Sequence, residues 1–488
     1  MNKRLRGLAD DFLVEASIDG LQEMMASGEL TSRDLVIMFL DRIARFDQDG
    51  PKINSILEVN PDALHIAEAM DTERAELDVR GPLHGIPIVL KDNIDTGDKT
   101  HTTAGSLALK DHVAGNDAFV AEQLREAGAV ILGKANLTEW ANFMTEGMPN
   151  GYSSLGGQVL NPYGPGNLDT GGSSAGPGAA VAANFSVVSV GTETSGSILS
   201  PASQHSLVGI KPTVGTISRS GIIPISHTQD TAGPMARTVR DAVYMYQAMV
   251  GVDDRDEATQ VPGSYFEKDF TSNLKLEGLN GKRIGIAREA YFDAIEPDKR
   301  EIMDEAVHVL EVHGATVIDV TIPTTGRDWG LGVMIHEFKN SLNAYLKTIS
   351  RDVPVRTFDD IIDFHNKHPE ETLKYGQKWF EEAAKTSGQL TEPAYLKELL
   401  EDQFYSKEEG IDATLQEYDL DAIVFPNNIG AAIPAKAGYP SITVPAGYTE
   451  KNEPVGITFS GTALSEPTLI ELAYGYEQAT GVRRPPEL

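Results

Sequence analysis

The chain has 488 residues, with 41 Lys+Arg against 72 Asp+Glu, a formal net charge of −31, 46 glycines and no cysteine. The missing thiols rule out a cysteine nucleophile, a disulfide framework and thiolate-held zinc or iron–sulfur clusters. The charge repels a phosphate backbone, and no basic cluster offsets it, so a general nucleic-acid binder is excluded.

Leu35, Met38, Phe39 and Ile43 lie on one helical face, and Thr31 and Asp34 stand at capping-box spacing, so a helix is predicted over 31–46. It belongs to an expected N-terminal helical layer, residues 1–75. In RGPLHGIPIVLKDNIDT (80–96) the apolar run 86–90, bounded by Gly and Pro, predicts a buried strand ending near Lys91. Val120, Leu124 and Ala127 make a helical stripe, Gly128 stops it, and AVILG (129–133) reads as the next strand.

Residues 150–235 are dense in Gly, Ser, Thr and Pro and nearly free of long charged side chains. A flexible linker would not carry the apolar phrases AAVAANFSVVSV (179–190) and HSLVGIKP (205–212). Such a composition indicates tightly packed backbone carrying a site. The loop-like stretch 251–282 reads as an excursion within one domain, because strands resume at RIGIA (283–287). Met303, Ala306, Val307 and Leu310 repeat the helical stripe, Gly314 ends it, and ATVIDVTI follows as a strand. Residues 331–415 read as an acidic helical layer lying peripherally over the sheet. Length alone would give about three domains at roughly 150 residues each. The helix–strand alternation instead predicts one α/β domain over 1–488 with a largely parallel or mixed sheet.

No run of 18 apolar residues offers a membrane span. The opening MNKRLRGLADDFLVEASIDG places acids where a signal peptide needs its apolar core. The chain as given reads as soluble and cytoplasmic, which leaves room for a leader removed earlier.

Three motifs are decoys. GAVILGKA (128–135) has the GxxxxGK spacing of a phosphate-binding loop, but Ala135 stands where Ser or Thr should be, and AVIL is a strand. Gly172-Ser173-Ser174-Ala175-Gly176 matches the GxSxG nucleophile elbow, yet the loop GPGNLDT precedes it instead of the required strand. His365 and His368 stand three apart near glutamates, which reads as a solvated helix face and not a metal site.

A serine–lysine arrangement remains. A serine hydroxyl needs a base, and lysine serves if neutral. Holding a lysine of pKa ~10.4 neutral at pH 7 costs roughly 4.6 kcal/mol, which desolvation can supply. Lys91 is the best candidate because it closes an apolar strand, while alternation turns Asp92 to the other face. A strand-end lysine that merely reaches solvent fits the same residues. Thr194-Ser195-Gly196-Ser197 is a small-residue turn before a predicted helix, where free amides can converge on a carbonyl oxygen. An ordinary glycine-rich turn also fits it.

Together these pieces resemble the amidase signature family of serine amidohydrolases over most of the chain. The most specific stretches are GPLHGIPIVLKDNIDT (81–96), GGSSAGPGAAVAANFSVVSVGTETSGSILSPAS (171–203) and VGIKPTVGTISRSGIIPISHTQDTAGPMART (208–238). GYPSITVPAGY (438–448) and PVGITFSG (454–461) add to them. The resemblance implies Ser197 as nucleophile, Ser173 as the bridging serine preceded by a cis peptide bond, and Lys91 as general base. It also implies a single-domain α/β fold with a large mixed sheet covered by helices, an oxyanion hole of the Thr194, Ser195, Gly196 and Ser197 amides, an acyl-enzyme intermediate, and no metal or cofactor. Many members read GTDTGGSIRxPA, whereas this chain has Glu193, Ser195 and Leu199 for the Asp, a Gly and the Arg. The usual Asp–Arg pair is therefore lost. Peptide amidases, which remove the C-terminal amide of peptides, are the most similar subgroup through TEWANF (138–143), GTETxGSI and QDTAGPMAR.

Two functions compete. The first is a stand-alone amide hydrolase acting on a small-molecule or peptide amide, with no nucleic acid, membrane or obligate protein partner. The alternative is the amidase subunit of a tRNA-dependent amidotransferase, which the −31 charge fits poorly unless partners supply basic surface. Substrate-binding residues stay unassigned at this level.

Overall fold

The computed structural model describes residues 3–350 and 352–488. Residues 1, 2 and 351, which fall in the expected 1–75 and 331–415 layers, lie outside the described residues. The first strands are β1 (Ile56–Val59), β2 (Pro87–Lys91) and β3 (Val130–Ala135), followed by a small hairpin of β4 (Tyr152–Ser153) and β5 (Gly157–Gln158). The middle of the chain adds β6 (Val188–Glu193), β7 (Val208–Lys211), β8 (Thr231–Ala236), β9 (Arg283–Ile286) and β10 (Thr316–Asp319). The last three are β11 (Ala422–Pro426), β12 (Ser441–Tyr448) and β13 (Pro454–Ser460).

Among the described residues, all strands but the hairpin join one 11-stranded sheet in the order β1-β3-β2-β6-β8-β7-β12-β13-β11-β9-β10. The pairs β2/β3, β2/β6, β9/β10 and β9/β11 are parallel and the others antiparallel, so the sheet is mixed, as the family resemblance implied and as one of the two forms the helix–strand alternation allowed. β2 sits between β3 and β6, and all five of its residues are buried. That placement removes Lys91 from water before any loop covers it.

The predicted elements form for the expected local reasons. Thr31 caps the Ser32–Arg42 helix by accepting from the Asp34 N–H at 3.0 Å. The Phe119–Glu126 helix ends before Gly128, which adopts φ +83. The 251–282 excursion is tied down by short turns that bury Tyr265 and Phe270. Within 1–75, the edge strand β1 adds sheet to a region expected as helical.

The helices of 331–415 share their apolar cluster with loops instead of the sheet face. Phe338, Phe358 and Phe380 pack with Trp140, Phe143 and Ile225. Trp140 lies edge-on to Phe380 at 5.4 Å, and Phe143 meets Phe338 at 5.1 Å. This layer therefore roofs the loops at the strand ends, where Lys91 emerges. No helix among the described residues is long and apolar enough to cross a membrane.

Candidate active site

Lys91 closes β2 with its side chain fully buried. Its Nζ lies 2.7 Å from Ser173 Oγ, 2.8 Å from Thr192 Oγ1 and 3.3 Å from the Thr192 carbonyl. Burial pushes the amine down to about 7, although Asp230 and Glu193 pull the other way. As alternation predicted, Asp92 points elsewhere, to the Thr103 hydroxyl and to Lys134 Nζ at 3.7 Å.

Ser173 follows a cis peptide bond from Gly172. Gly172 has no room for a side chain: a Cβ there would stand 2.5 Å from Asn150 Oδ1 and 2.8 Å from Thr138 Oγ1. Ser174 rivets this loop to its surroundings. Its hydroxyl donates to the Thr192 carbonyl at 3.1 Å and accepts from the Thr192 N–H at 3.2 Å, and its own N–H donates to the Ser197 carbonyl at 3.2 Å. The three predicted residues are thus brought to one place from segments far apart in sequence. Lys91 and Ser173 are 0% exposed and Ser197 is 9% exposed, so Ser197 alone of the three keeps any contact with solvent. Among the described residues the Ser197 hydroxyl has no hydrogen-bond partner.

The 194–197 turn is shaped by Glu193. One carboxylate oxygen accepts from the Gly196 N–H at 2.7 Å, and the other accepts from Ile198 N–H at 2.7 Å and Leu199 N–H at 3.0 Å. The Glu that replaces the family Asp therefore does not wait for an arginine. It caps the next turn, and Gly196 takes φ +81 to let the chain do so. Of the four amides that the resemblance implies as an oxyanion hole, that of Gly196 donates to Glu193. The amides of Thr194, Ser195 and Ser197 have no acceptor among the described residues.

Several residues around the centre lie in the quoted motifs, yet the sequence assigns them no role. Thr192 accepts from Lys91 Nζ and, at 3.0 Å, from Asn93 Nδ2. Asp230 accepts from Thr194 Oγ1 at 2.5 Å with one oxygen, and from the Ile225 and Ser226 amides at 2.8 and 2.9 Å with the other. Burial pushes the Asp230 carboxyl up to about 6. A patterned search for the polar residue of QDTAGP could have flagged Asp230, but nothing local marks its partner. Trp140, Ala141 and Asn142 run left-handed at φ 51, 53 and 68, which sets Ala141 in the wall of a small recess with Thr192 and Thr194.

Arg219, Ile222 and Asp230 also border a second, larger space of about 670 Å³, walled on its far side by Ser341 and Tyr345 of the Gly332–Leu346 helix. That volume suits a ligand of several residues or a drug-sized molecule. The decoys resolve structurally. Lys134 of GAVILGKA is a buried strand residue whose amine donates to the Ile94 and His101 carbonyls at 2.6 and 2.9 Å. The solvated-face reading holds for His368 but not for His365, which is buried, bonds Gln377 Oε1 through Nδ1 at 2.9 Å and packs on Phe380, because its side of the helix faces the roofing cluster.

Residues 34–470 match the protein family described as Amidase. The native peptide amidase from Stenotrophomonas maltophilia superposes with a TM-score of 0.92 at 44% identity, covering 97% of this chain and 98% of that one. A probable amidase of Arabidopsis thaliana is 42% identical over 97% of this chain and 91% of its own length. A glutamyl-tRNA(Gln) amidotransferase subunit from Heliobacterium modesticaldum is 32% identical over 94% of this chain and 96% of its own length.

Proposed function

The chain belongs to the amidase family and is an amide hydrolase, and from that premise we propose that it works through Ser197, Ser173 and Lys91 on the C-terminal amides of peptides. The observation that carries the reading is a buried, readily neutralised lysine 2.7 Å from Ser173, in a loop whose next amide holds the backbone of Ser197.

Neutral Lys91 accepts a proton from Ser173, which in turn accepts the proton of Ser197. Ser197 Oγ then bonds to the amide carbon, and the carbonyl π electrons move onto oxygen. The amides of Thr194, Ser195 and Ser197 hold that oxyanion, while the Gly196 amide stays with Glu193. Lys91 returns the proton through Ser173 to the leaving nitrogen, the C–N bond breaks, and ammonia departs. Water, deprotonated by the same relay, attacks the acyl ester and frees Ser197.

A peptide amide as substrate is supported by the likeness to the Stenotrophomonas maltophilia enzyme and by the roughly 670 Å³ space that borders Asp230. We read the whole of 1–488 as one amidase domain, with 1–75 and 331–415 as layers within it, acting without an obligate partner. The second reading, one component of a tRNA-dependent amidotransferase, rests on the Heliobacterium relative and is opposed by the −31 charge. The test assays ammonia release by the purified chain on peptide C-terminal amides, simple aliphatic and aromatic amides, and intact peptides. Cleavage of terminal amides with internal bonds spared is expected. Preference for short aliphatic amides would overturn the substrate reading. Activity only with a partner and ATP would favour the second.

A further inference from the structure

Asp230 reaches the site through Thr194, but a second carboxylate decides where Asp230 stands. Glu337 lies mid-way along the Gly332–Leu346 helix with its side chain 0% exposed. Its Oε2 accepts from Ser226 Oγ at 2.5 Å, from Thr228 Oγ1 at 3.0 Å and from the Thr228 N–H at 3.2 Å. Its Oε1 accepts from Tyr395 OH at 2.9 Å and lies 3.6 Å from His227 Nε2. Ser226 is the shared node, since its hydroxyl goes to Glu337 and its N–H to Asp230. The series therefore runs from Glu337 to Ser226 to Asp230 to Thr194, the first residue of the turn that carries the candidate oxyanion amides. Farther along the same helix, Tyr345 donates to Asp95 Oδ1 at 2.8 Å, in the segment that follows Lys91. One helix of the roofing layer thus grips the segments on both sides of the centre.

We propose that Glu337 is a positioning residue for amide hydrolysis, fixing the 225–230 segment so that Asp230 holds Thr194 and the oxyanion amides in register. This rests on the reading of Ser197 as the nucleophile in that turn. Four hydrogen bonds converge on one buried carboxylate, and a buried carboxylate is stable where its acceptors are used. Of its partners, Ser226 lies toward the reaction and Tyr395 lies away from it. Amides that stabilise an oxyanion act on the transition state, so displacing them lowers kcat and leaves KM nearly unchanged.

The experiment compares Glu337→Ala, Glu337→Gln, Ser226→Ala and Tyr395→Phe in the full chain, with kcat and KM on one peptide amide and melting temperature for each. Glu337→Ala and Ser226→Ala are expected to lose tenfold or more in kcat with KM within about twofold. Glu337→Gln, which keeps an oxygen for Ser226 and Thr228, should return kcat to within about threefold of wild type. Tyr395→Phe removes one hydrogen bond from the same carboxylate and should keep wild-type kcat. Should Glu337→Ala fail to fold, Ser226→Ala against Tyr395→Phe decides alone. Equal kcat losses in that pair, or wild-type kcat in Ser226→Ala, would overturn the proposal. Full turnover in Ser197→Ala would overturn the nucleophile reading and this one with it. Lost turnover in Ser197→Ala beside wild-type kcat in Ser226→Ala overturns this one alone.

Discussion

Replacing Lys91 by Met tests the central claim that a buried amine is held neutral. An unfolded lysine titrates near 10.5, and burial brings Lys91 to about 7. That interval corresponds to roughly 5 kcal/mol of desolvation cost at about 1.4 kcal/mol per tenfold. The sign follows from proton counts. Between pH 7 and 10.5 the unfolded chain binds a proton that the folded chain does not, so the cost is full below pH 7 and fades as pH rises toward 10.5. At pH 7 the lysine destabilises the fold by about 4 kcal/mol, and at pH 9.5 by about 1.5 kcal/mol. Met carries no such cost, but it strands the Ser173 hydroxyl at about 1–3 kcal/mol and leaves Thr192 Oγ1 with Asn93 Nδ2 as its partner. That loss does not depend on pH to first order. The stability of Lys91→Met relative to wild type should therefore fall by about 3 kcal/mol between pH 7 and pH 9.5 in urea unfolding. Activity should disappear in the same variant, by a factor of about 10³ or more. In wild type, kcat/KM should rise with pH through a half-point near 7 and stand at about a tenth of its plateau at pH 6. A stability difference that is the same at both pH values, or a kcat/KM flat from pH 5 to 8, would refute the neutral-lysine argument.

Ser197→Ala should abolish turnover and trapping of an acyl-enzyme by mass spectrometry while the fold persists, since the side chain bonds to nothing around it. Ser173→Ala should be severe but leave measurable turnover, because Ser173 relays protons and is not acylated; rates near wild type would remove it from the relay. Glu193→Gln puts an NH₂ where a carboxylate oxygen meets backbone donors, so kcat should fall tenfold or more and stability by about 2 kcal/mol, read from steady-state kinetics and thermal unfolding. Gly176→Ala should cost about 3 kcal/mol or prevent folding, because a methyl there would stand 2.7 Å from both Asn136 N and Ser55 O.

Local patterns in the sequence carried much of this architecture. Short apolar runs located β2 and β3, because a strand buried on both faces reads as a continuous run, and a period of 3.6 located the helices around them. Lys91 was legible for the same reason: a charged residue closing a five-residue apolar strand must either reach water or be held in the dark. The small-residue composition of 150–235 marked a crowded backbone, and motif resemblance identified which serines mattered within it. The edge strand β1 was missed because its four residues alternate weakly and are mostly half-buried.

What the sequence determined by itself, then, was the kind of chain and the three residues worth bringing together: a cysteine-free α/β protein with a strand-end lysine and two serines in glycine-rich turns. Tertiary structure decided which backbone amides are free, since only folding shows Glu193 taking the Gly196 N–H, and which carboxylates act from a distance. Ser226 and Glu337 are separated by 111 residues, and Lys91 and Ser173 by 82. Local periodicity reports which side of an element faces inward. It says nothing of which inward faces meet, because that is settled by packing across the sheet and its roofing helices, where a buried donor is stable only against the acceptor that the whole fold delivers.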